Sequence, residues 1–364
     1  MKLQNKLKEL IPKWREEKKE VLSKFGNNKI ADVVVAQAFG GMRGIKGMIC
    51  DTSVVEPDKG LIIRERPLLG IKDMLPEEIF YLLLTGEKPD EKDTKSLQND
   101  LADRSEVPGY VWDALRALPE DTHPMCMLNT GILILEQKSE FRSRYNKGMR
   151  KEEYWEPMFE DALRLLGALP CLAAGVYRLR YKKNLKRKSL RLDDLIPYDS
   201  KLDWGGNYAK KLTIPDPTGE FAKLIRLYLT LHCDHEGGNV SANVCHTTGS
   251  ALSDAFYAVS AGLNGLAGPL HGLANQECLK WILDLINTYD GTPTEDQIRE
   301  MAFETLRAGK VIPGYGHAVL RVTDPRFTAF HAFGQEHMAD DPVFMAVSRV
   351  FNVVPKVLEA FSGE

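Results

Sequence analysis

The stretch from His232 to Gln276 constrains the fold more than any other part of the chain. Glycine and alanine recur through it, and such small residues let backbones and helices approach each other closely. Four of the eight histidines of the chain also lie there, and histidine transfers protons near neutral pH. We therefore expect closely packed segments that form the wall of a tight polar pocket. The histidines are His232, His235, His246 and His271.

A further histidine, His317, ends the glycine-flanked run Pro313-Gly314-Tyr315-Gly316-His317. Glycines let a loop approach a ligand closely. Arg321 and Arg326 follow this run, and the planar fork of arginine binds carboxylate or phosphate. The pattern predicts a binding site for a carboxylate or phosphate group. We expect both histidine stretches to meet around one small polar substrate. The alternative is a surface loop with exposed arginines.

His271 lies between Leu270 and Gly272, just before a predicted helix over 272–288. The positive end of a helix disfavours the charged form of a histidine. The side chain would then remain neutral and could donate a hydrogen bond to a developing enolate oxygen. The alternative interpretation is a buried histidine whose hydrogen bonds are satisfied within the fold.

The rest of the chain is patterned mainly as helices. Leu3, Leu7, Leu10 and Trp14 recur at steps of four, three and four, the spacing of one helical face, and Pro12 is expected to divide this segment. Further helices are predicted over 76–85, 91–104, 109–118, 124–139, 153–183, 219–232, 249–268, 294–309 and 341–360.

Local signals place several boundaries and one small sheet. Pro76 and Gly86 suit the two ends of one helix, and Pro170 is a possible break in the long helix over 153–183. Thr294 with Gln297 forms a capping box, and Gly309 closes that helix. Short β-like runs within 48–66 predict a hairpin. Strand content is minor, so we predict an all-α fold with a small β-hairpin near the N-terminus.

Composition indicates a soluble globular protein with two domains. The chain has 364 residues, 43% hydrophobic and 27% charged, and a net charge of −3. No apolar run reaches about eighteen residues, so no membrane-spanning helix is expected. The basic run over 178–191 is interpreted as a solvated loop rather than a nucleic-acid patch, because the rest of the chain is not basic. The six scattered cysteines are interpreted as reduced, buried thiols.

A zinc site is an alternative interpretation of the same histidines. His232 and His235 are one helical turn apart, with Cys245 and His246 nearby, and these are zinc-ligand types. The second histidine of an HExxH motif is missing, and the two glycines after Glu236 would break its helix. We therefore predict no metal.

Six runs together resemble citrate synthase, in the longer form typical of mitochondria and some bacteria. Their order and spacing fit that family along nearly the whole chain, and the last two are highly specific. The runs are GGMRGIKG (40–47), SKLDW (200–204), HCDHEGGNVSA (232–242), GSALSD (249–254), NGLAGPLHGLANQE (264–277) and PGYGHAVLRVTDPR (313–326).

The resemblance implies an all-helical homodimer with a large dimer-forming domain over 1–273 and a smaller closing domain over 274–364. It implies condensation of acetyl-CoA with oxaloacetate and water to give citrate and CoA. Acetyl-CoA is a substrate, and no cofactor, nucleic acid or membrane is implied. The start of the chain lacks the features of a signal or transit peptide, so the cytoplasm is expected, or the mitochondrial matrix after removal of a transit peptide.

The resemblance also implies roles for residues that match the family's motifs. His271 resembles the histidine that stabilises the enol of acetyl-CoA, and His317 the one that polarises the oxaloacetate carbonyl. Three residues resemble oxaloacetate-pocket residues, namely His235, Asn239 and Arg326. The residues that resemble CoA contacts are Arg43, Val311, Gly314, Tyr315, Gly316 and Arg321.

Two further alternatives stay open. A 2-methylcitrate synthase would use propionyl-CoA on the same machinery. A catalytically dead dimeric binding protein would keep the fold without turnover. A departure from the family pattern bears on the second: the family's proton-abstracting aspartate and further arginines lie in a C-terminal segment that the resemblance places beyond Glu364. We expect the chain to be part of a longer enzyme.

The 364-residue chain alone is therefore expected to have little or no synthase activity. Without a carboxylate base, the weakly acidic methyl group of the thioester keeps its proton. Thiol release from acetyl-CoA in the presence of oxaloacetate measures this, and release at an ordinary enzyme rate would contradict it.

Overall fold

The computed structural model describes residues 2–41, 45, 47–181, 197–316 and 319–362. It is mostly helical, at 65%, with sixteen α-helices in the described part of the chain. The predicted all-α fold is confirmed. The basic run predicted as a loop lies mainly outside the described residues, except for its first four positions, which continue a helix.

The predicted hairpin is also confirmed. Its strands are β1 (Ser53–Glu56) and β2 (Gly60–Ile63), and a short third strand, β3 (Arg66–Pro67), extends the sheet in the order β1-β2-β3. Gly60 has a φ of +85°, in the left-handed region that favours glycine, at the end of the turn between β1 and β2.

The chain divides into two compact units, and each is described by itself. The first comprises Met1–Val54, Ile62–Arg66 and Gly70–Gly265. Its helices are α1 (Lys2–Phe25), α2 (Val35–Phe39), α3 (Pro76–Thr85), α4 (Glu91–Ala102), α5 (Gly109–Ala117), α6 (Pro124–Leu135), α7 (Glu140–Asn146), α8 (Trp155–Tyr181), α9 (Trp204–Lys211), α10 (Glu220–Leu231), α11 (Val240–Ser250) and α12 (Ala255–Leu266).

The second unit comprises Val55–Leu61, Pro67–Leu69 and Leu266–Glu364. Its helices are α13 (Ala274–Thr288), α14 (Glu295–Arg307), α15 (Pro325–His337) and α16 (Pro342–Ser362). Their core joins Trp281 and Leu285 of α13 to Ile298 of α14 and Val354 of α16. The predicted domain boundary at 273/274, and the roles of the two domains, stay predictions.

Helix α8 is the centre of the first unit because it contributes to two apolar clusters. Leu172 and Val176 pack with Trp112 of α5, while Phe159 and Leu163 pack with α1, α3 and α4. By length and composition alone, Lys151–Tyr181 is also apolar enough to cross a membrane, whereas no such helix was expected because no apolar run reaches about eighteen residues. Of its most apolar 18-residue stretch, 56% is buried inside the structure, as in the core helix of a globular unit.

Most predicted helix ends agree with the structure. Pro76 begins α3, and Gly86 ends it in a left-handed conformation. The Thr294–Gln297 capping box precedes α14, with both reciprocal hydrogen bonds present. Gly309, at a φ of +71°, follows its end.

The two predicted proline breaks were wrong, since α1 and α8 run unbroken through Pro12 and Pro170. A proline removes the hydrogen bond to the carbonyl four residues earlier, so each helix must find another partner for that carbonyl. Lys8 precedes Pro12 by four residues and is exposed, so water can donate the hydrogen bond to its carbonyl. For Pro170, the orphaned carbonyl of Leu166 accepts the indole N–H of Trp204 at 2.7 Å.

Trp204→Phe is expected to destabilise the first unit by about 1–3 kcal/mol, because the carbonyl of Leu166 then loses its donor. In a Pro170→Ala background, the restored backbone N–H can take over, and the same substitution should cost less. Urea unfolding of the four proteins gives the coupling energy. An equal cost in both backgrounds would show that the indole does not replace the missing bond.

Candidate active site

His271 lies in a tight turn between α12 and α13. Its backbone N–H donates to the Gly268 carbonyl (3.0 Å), and its own carbonyl accepts the N–H of Ala274 (3.2 Å) as α13 begins. The next residue, Gly272, donates to the Leu266 carbonyl at 3.0 Å. A Cβ on Gly272 would lie 2.5 Å from that oxygen, so only glycine fits beside His271.

The imidazole of His271 is half-buried, and this burial lowers its pKa below the ordinary 6.5. The lowered pKa agrees with the predicted neutral histidine, and its cause is removal of the ring from water. The ring is therefore neutral at pH 7. A neutral imidazole keeps one N–H donor, the form that can hydrogen-bond to an oxygen as negative charge develops on it.

The glycine loop packs on α13 in the same unit. Gly314 has a φ of +93°, and a Cβ there would lie 3.3 Å from the Cys278 sulfur, on the second turn of α13. The Tyr315 hydroxyl donates to the Val350 carbonyl at 3.2 Å, and burial raises the pKa of Tyr315 to about 12. Tyr315 thus anchors the loop as a neutral phenol. Gly316 has a φ of +82°, and Val311 is 78% exposed.

Arg321 and Arg326 follow the loop. The Arg321 guanidinium is exposed and donates to the carbonyls of Val319 (3.1 Å) and Leu320 (2.9 Å). Arg326 lies in the first turn of α15, where its guanidinium contacts both carboxylate oxygens of Asp324 at 2.6–3.0 Å. No role for Asp324 was predicted from the sequence, although an aspartate before Pro325 is a recognisable helix-start signal.

His235 and Asn239 lie in the first unit, in the loop between α10 and α11. The Asn239 side chain caps α11 by accepting the N–H of Ala242 (2.9 Å), and its amide donates to the carbonyls of His235 (3.2 Å) and Glu236 (3.0 Å). Asn239 therefore ties the His235 loop to the helix start. The Glu236 N–H donates to Ser53 Oγ at 2.6 Å, which braces the same loop.

The structure therefore collects the predicted residues in two groups. His271, Val311–Gly316, Arg321 and Arg326 belong to the second unit, and His235 and Asn239 to the first. His317 and Arg43 lie outside the described residues. The assigned roles stay predictions.

The histidines of the zinc alternative have other neighbours. His232 stacks on the ring of Tyr228, with ring centroids 4.4 Å apart, and its Nδ1 lies 2.9 Å from the Tyr228 carbonyl. His246 is exposed on α11. Within the part of the chain that the structure describes, no group of three or more His, Cys, Asp or Glu side chains is placed to hold a metal.

The pKa of His271 should be measurable below 6.5, because burial penalises its charged form. Since the unfolded state then binds the proton more readily, this residue's contribution to stability is present above about pH 6.5 and is lost as pH falls through the folded pKa. Proton NMR titration of the ring, assigned by difference with His271→Asn, gives the value. A pKa at or above 6.5 would contradict the neutral donor.

The chain was compared with known proteins. The family described as "Citrate synthase, C-terminal domain" matches residues 41–362. Citrate synthase 4, mitochondrial, of Arabidopsis thaliana is 42% identical over 366 aligned positions, covering 98% of this chain and 75% of that protein. The mitochondrial 2-methylcitrate synthase of Yarrowia lipolytica is 44% identical, covering 98% and 77%.

Solved structures share the fold. The citrate synthase of Pyrobaculum aerophilum superposes with a TM-score of 0.73 at 24% identity, covering 89% of this chain and 78% of that one. That of Thermoplasma acidophilum, described as a ternary complex with carboxymethyl coenzyme A and oxaloacetate, gives 0.72 at 18% identity, covering 88% and 80%. With the family match and the identity to full-length relatives, these findings show that the chain belongs to the citrate synthase family.

Proposed function

We propose that this protein condenses acetyl-CoA with oxaloacetate and water to form citrate and CoA. Members of its family are acyltransferases, and the finer assignment to acetyl-CoA is the proposal. The observation that carries it is His271, a half-buried histidine with a lowered pKa at the start of α13. It lies in the same unit as the glycine loop and two arginines.

His271 acts on the acyl group. When a carboxylate base takes a proton from the methyl group of acetyl-CoA, negative charge moves to the thioester oxygen, and a donor fixed in advance stabilises that charge. The neutral imidazole donates its N–H to this oxygen. Burial favours this neutral form because a charged imidazolium would lose its hydration on removal from water. The resulting enolate carbon attacks the ketone carbon of oxaloacetate, and water then cleaves the thioester to release CoA.

Oxaloacetate is a dianion, so its site needs cations and polar donors. We assign Arg326 to one carboxylate because its planar fork suits bidentate contact. His235 and Asn239 complete the binding set, with Asn239 acting at least through the loop that carries His235. We assign His317 to the ketone oxygen, where a donor makes the carbonyl carbon more electrophilic.

CoA presents phosphates and an extended chain with apolar stretches. Arg43 and Arg321 are assigned to its phosphates. The loop from Val311 to Gly316 is assigned to the extended chain of CoA. The exposed side chains of Val311 (78%) and Leu270 (92%) offer apolar surface for it. We further propose a homodimer that works in the cytoplasm or, in a eukaryotic cell, in the mitochondrial matrix.

A 2-methylcitrate synthase is the second candidate. The Yarrowia lipolytica relative with that name is 44% identical, against 42% for the Arabidopsis thaliana citrate synthase, so overall similarity does not separate them. Propionyl-CoA carries one more methylene than acetyl-CoA, and a pocket discriminates one methylene by about 10–200-fold.

The test compares the two acyl-CoAs on the protein as its source makes it. Turnover is followed by thiol release at saturating oxaloacetate, and we expect acetyl-CoA to have the higher kcat/KM. His271→Ala should lower kcat about 10²–10³-fold, the usual cost of one oxyanion donor. His246→Ala is the matched control, since that histidine is exposed on α11 and has no part in the proposed site.

Three results would each overturn part of the proposal. Preference for propionyl-CoA would establish the 2-methylcitrate alternative. Undiminished turnover in His271→Ala would remove that histidine from the mechanism. Binding of oxaloacetate without turnover by the complete protein would leave the binding-protein alternative.

A further inference from the structure

The tip of the β1–β2 hairpin, residues 57–60, contacts the segment that carries the two arginines. The backbone N–H of Arg321 donates to the Pro57 carbonyl at 2.8 Å. At the other end of the tip, Gly60 lies against Pro325, the first residue of α15. A Cβ on Gly60 would be 2.6 Å from Pro325 Cδ and 2.8 Å from its Cγ. Both ends of 321–325 are thus held by one short turn that is far away in sequence.

The tip is mostly exposed, so its contribution lies in this contact rather than in the core. Pro57, Asp58 and Lys59 are exposed, and only Gly60 is buried. Exposed residues contribute little to core packing. The tip therefore adds mainly backbone contacts to the segment 321–325.

Asp324 fixes the second arginine from within the same segment. Its carboxylate accepts the backbone N–H of Arg326 at 2.9 Å, which caps α15, and it also contacts the Arg326 guanidinium at 2.6–3.0 Å. One carboxylate thereby sets both the start of the helix and the direction of the side chain. An arginine held in this way loses less rotamer freedom when it binds a ligand.

We infer that the hairpin tip and Asp324 are positioning residues, which hold Arg321 and Arg326 ready for an anionic substrate. The inference rests on the proposed function, in which Arg326 binds a carboxylate of oxaloacetate and Arg321 a phosphate of CoA. The tip sets the backbone of the segment, and Asp324 sets the guanidinium. Supporting residues of this kind commonly decide whether a binding group sits within reach of its ligand.

Gly60→Ala tests the tip, and Gly148→Ala is its matched control. The two glycines have nearly the same φ, +85° and +87°, but a Cβ on Gly148 meets nothing within 4 Å. Both substitutions therefore introduce the same backbone strain, and only one pushes on Pro325. Hydrogen–deuterium exchange is followed in peptides covering 319–324, which contain the Arg321 amide. Peptides from α14 and α16 report whether the unit stays folded.

We expect the Arg321 amide to be protected in the parent protein and in Gly148→Ala. In Gly60→Ala its exchange should accelerate at least about tenfold while α14 and α16 stay protected. The dissociation constant for oxaloacetate, measured by calorimetry, should rise about tenfold in Gly60→Ala and stay within about twofold in Gly148→Ala. Unchanged exchange in Gly60→Ala would overturn the role of the tip.

Asp324→Asn tests the carboxylate without removing the helix cap, since asparagine caps as well as aspartate. If Asp324 positions Arg326, oxaloacetate binding weakens about tenfold. If it only competes for the guanidinium, binding tightens on loss of the negative charge, and the inference fails. Should the parent protein not bind oxaloacetate at all, the proposed function falls, while the exchange data still decide whether the tip holds the segment.

Discussion

The hydrogen bond from Gly272 to the Leu266 carbonyl fixes the point on which the candidate site depends. It closes the turn between α12 and α13 with the two backbones so near that no side chain fits at Gly272. The turn sets the first residues of α13, and α13 in turn supports Gly314 through Cys278. The histidine and the glycine loop are therefore placed by one backbone contact and the helix that follows it.

Three of the polar side chains considered for the site lie at helix starts. His271 precedes α13 by three residues, Asn239 caps α11, and Arg326 lies in the first turn of α15 behind its cap, Asp324. Helix N-termini offer unpaired N–H groups and a positive potential, which suit an anionic substrate. The helix also fixes the backbone direction at its first residues, so the position of a residue there varies little.

Local chemistry accounts for what could be predicted from the sequence. The hairpin, the ends of α3 and the Thr294 capping box each depend on residues within a few positions of one another. The predicted break at Pro170 was wrong because the carbonyl that this proline leaves without a donor is hydrogen-bonded by Trp204. No local sequence pattern connects Trp204 to Pro170. The burial that lowers the pKa of His271 could not be predicted either, because it depends on the packed turn. The Pro57 and Gly60 contacts join distant segments, and nothing in the local sequence signals them.

The bond between Trp204 and Leu166 has a consequence for how such chains can diverge. A proline within a core helix is tolerated here because a residue on another helix took over a lost hydrogen bond. The two positions are then contingent on one another: the indole can be replaced freely only after the proline has gone, whereas the proline can be replaced at any time. Substitutions at this pair are therefore tolerated in one order only, Pro170 first and Trp204 second. A relative that keeps Pro170 is expected to keep a hydrogen-bond donor at position 204.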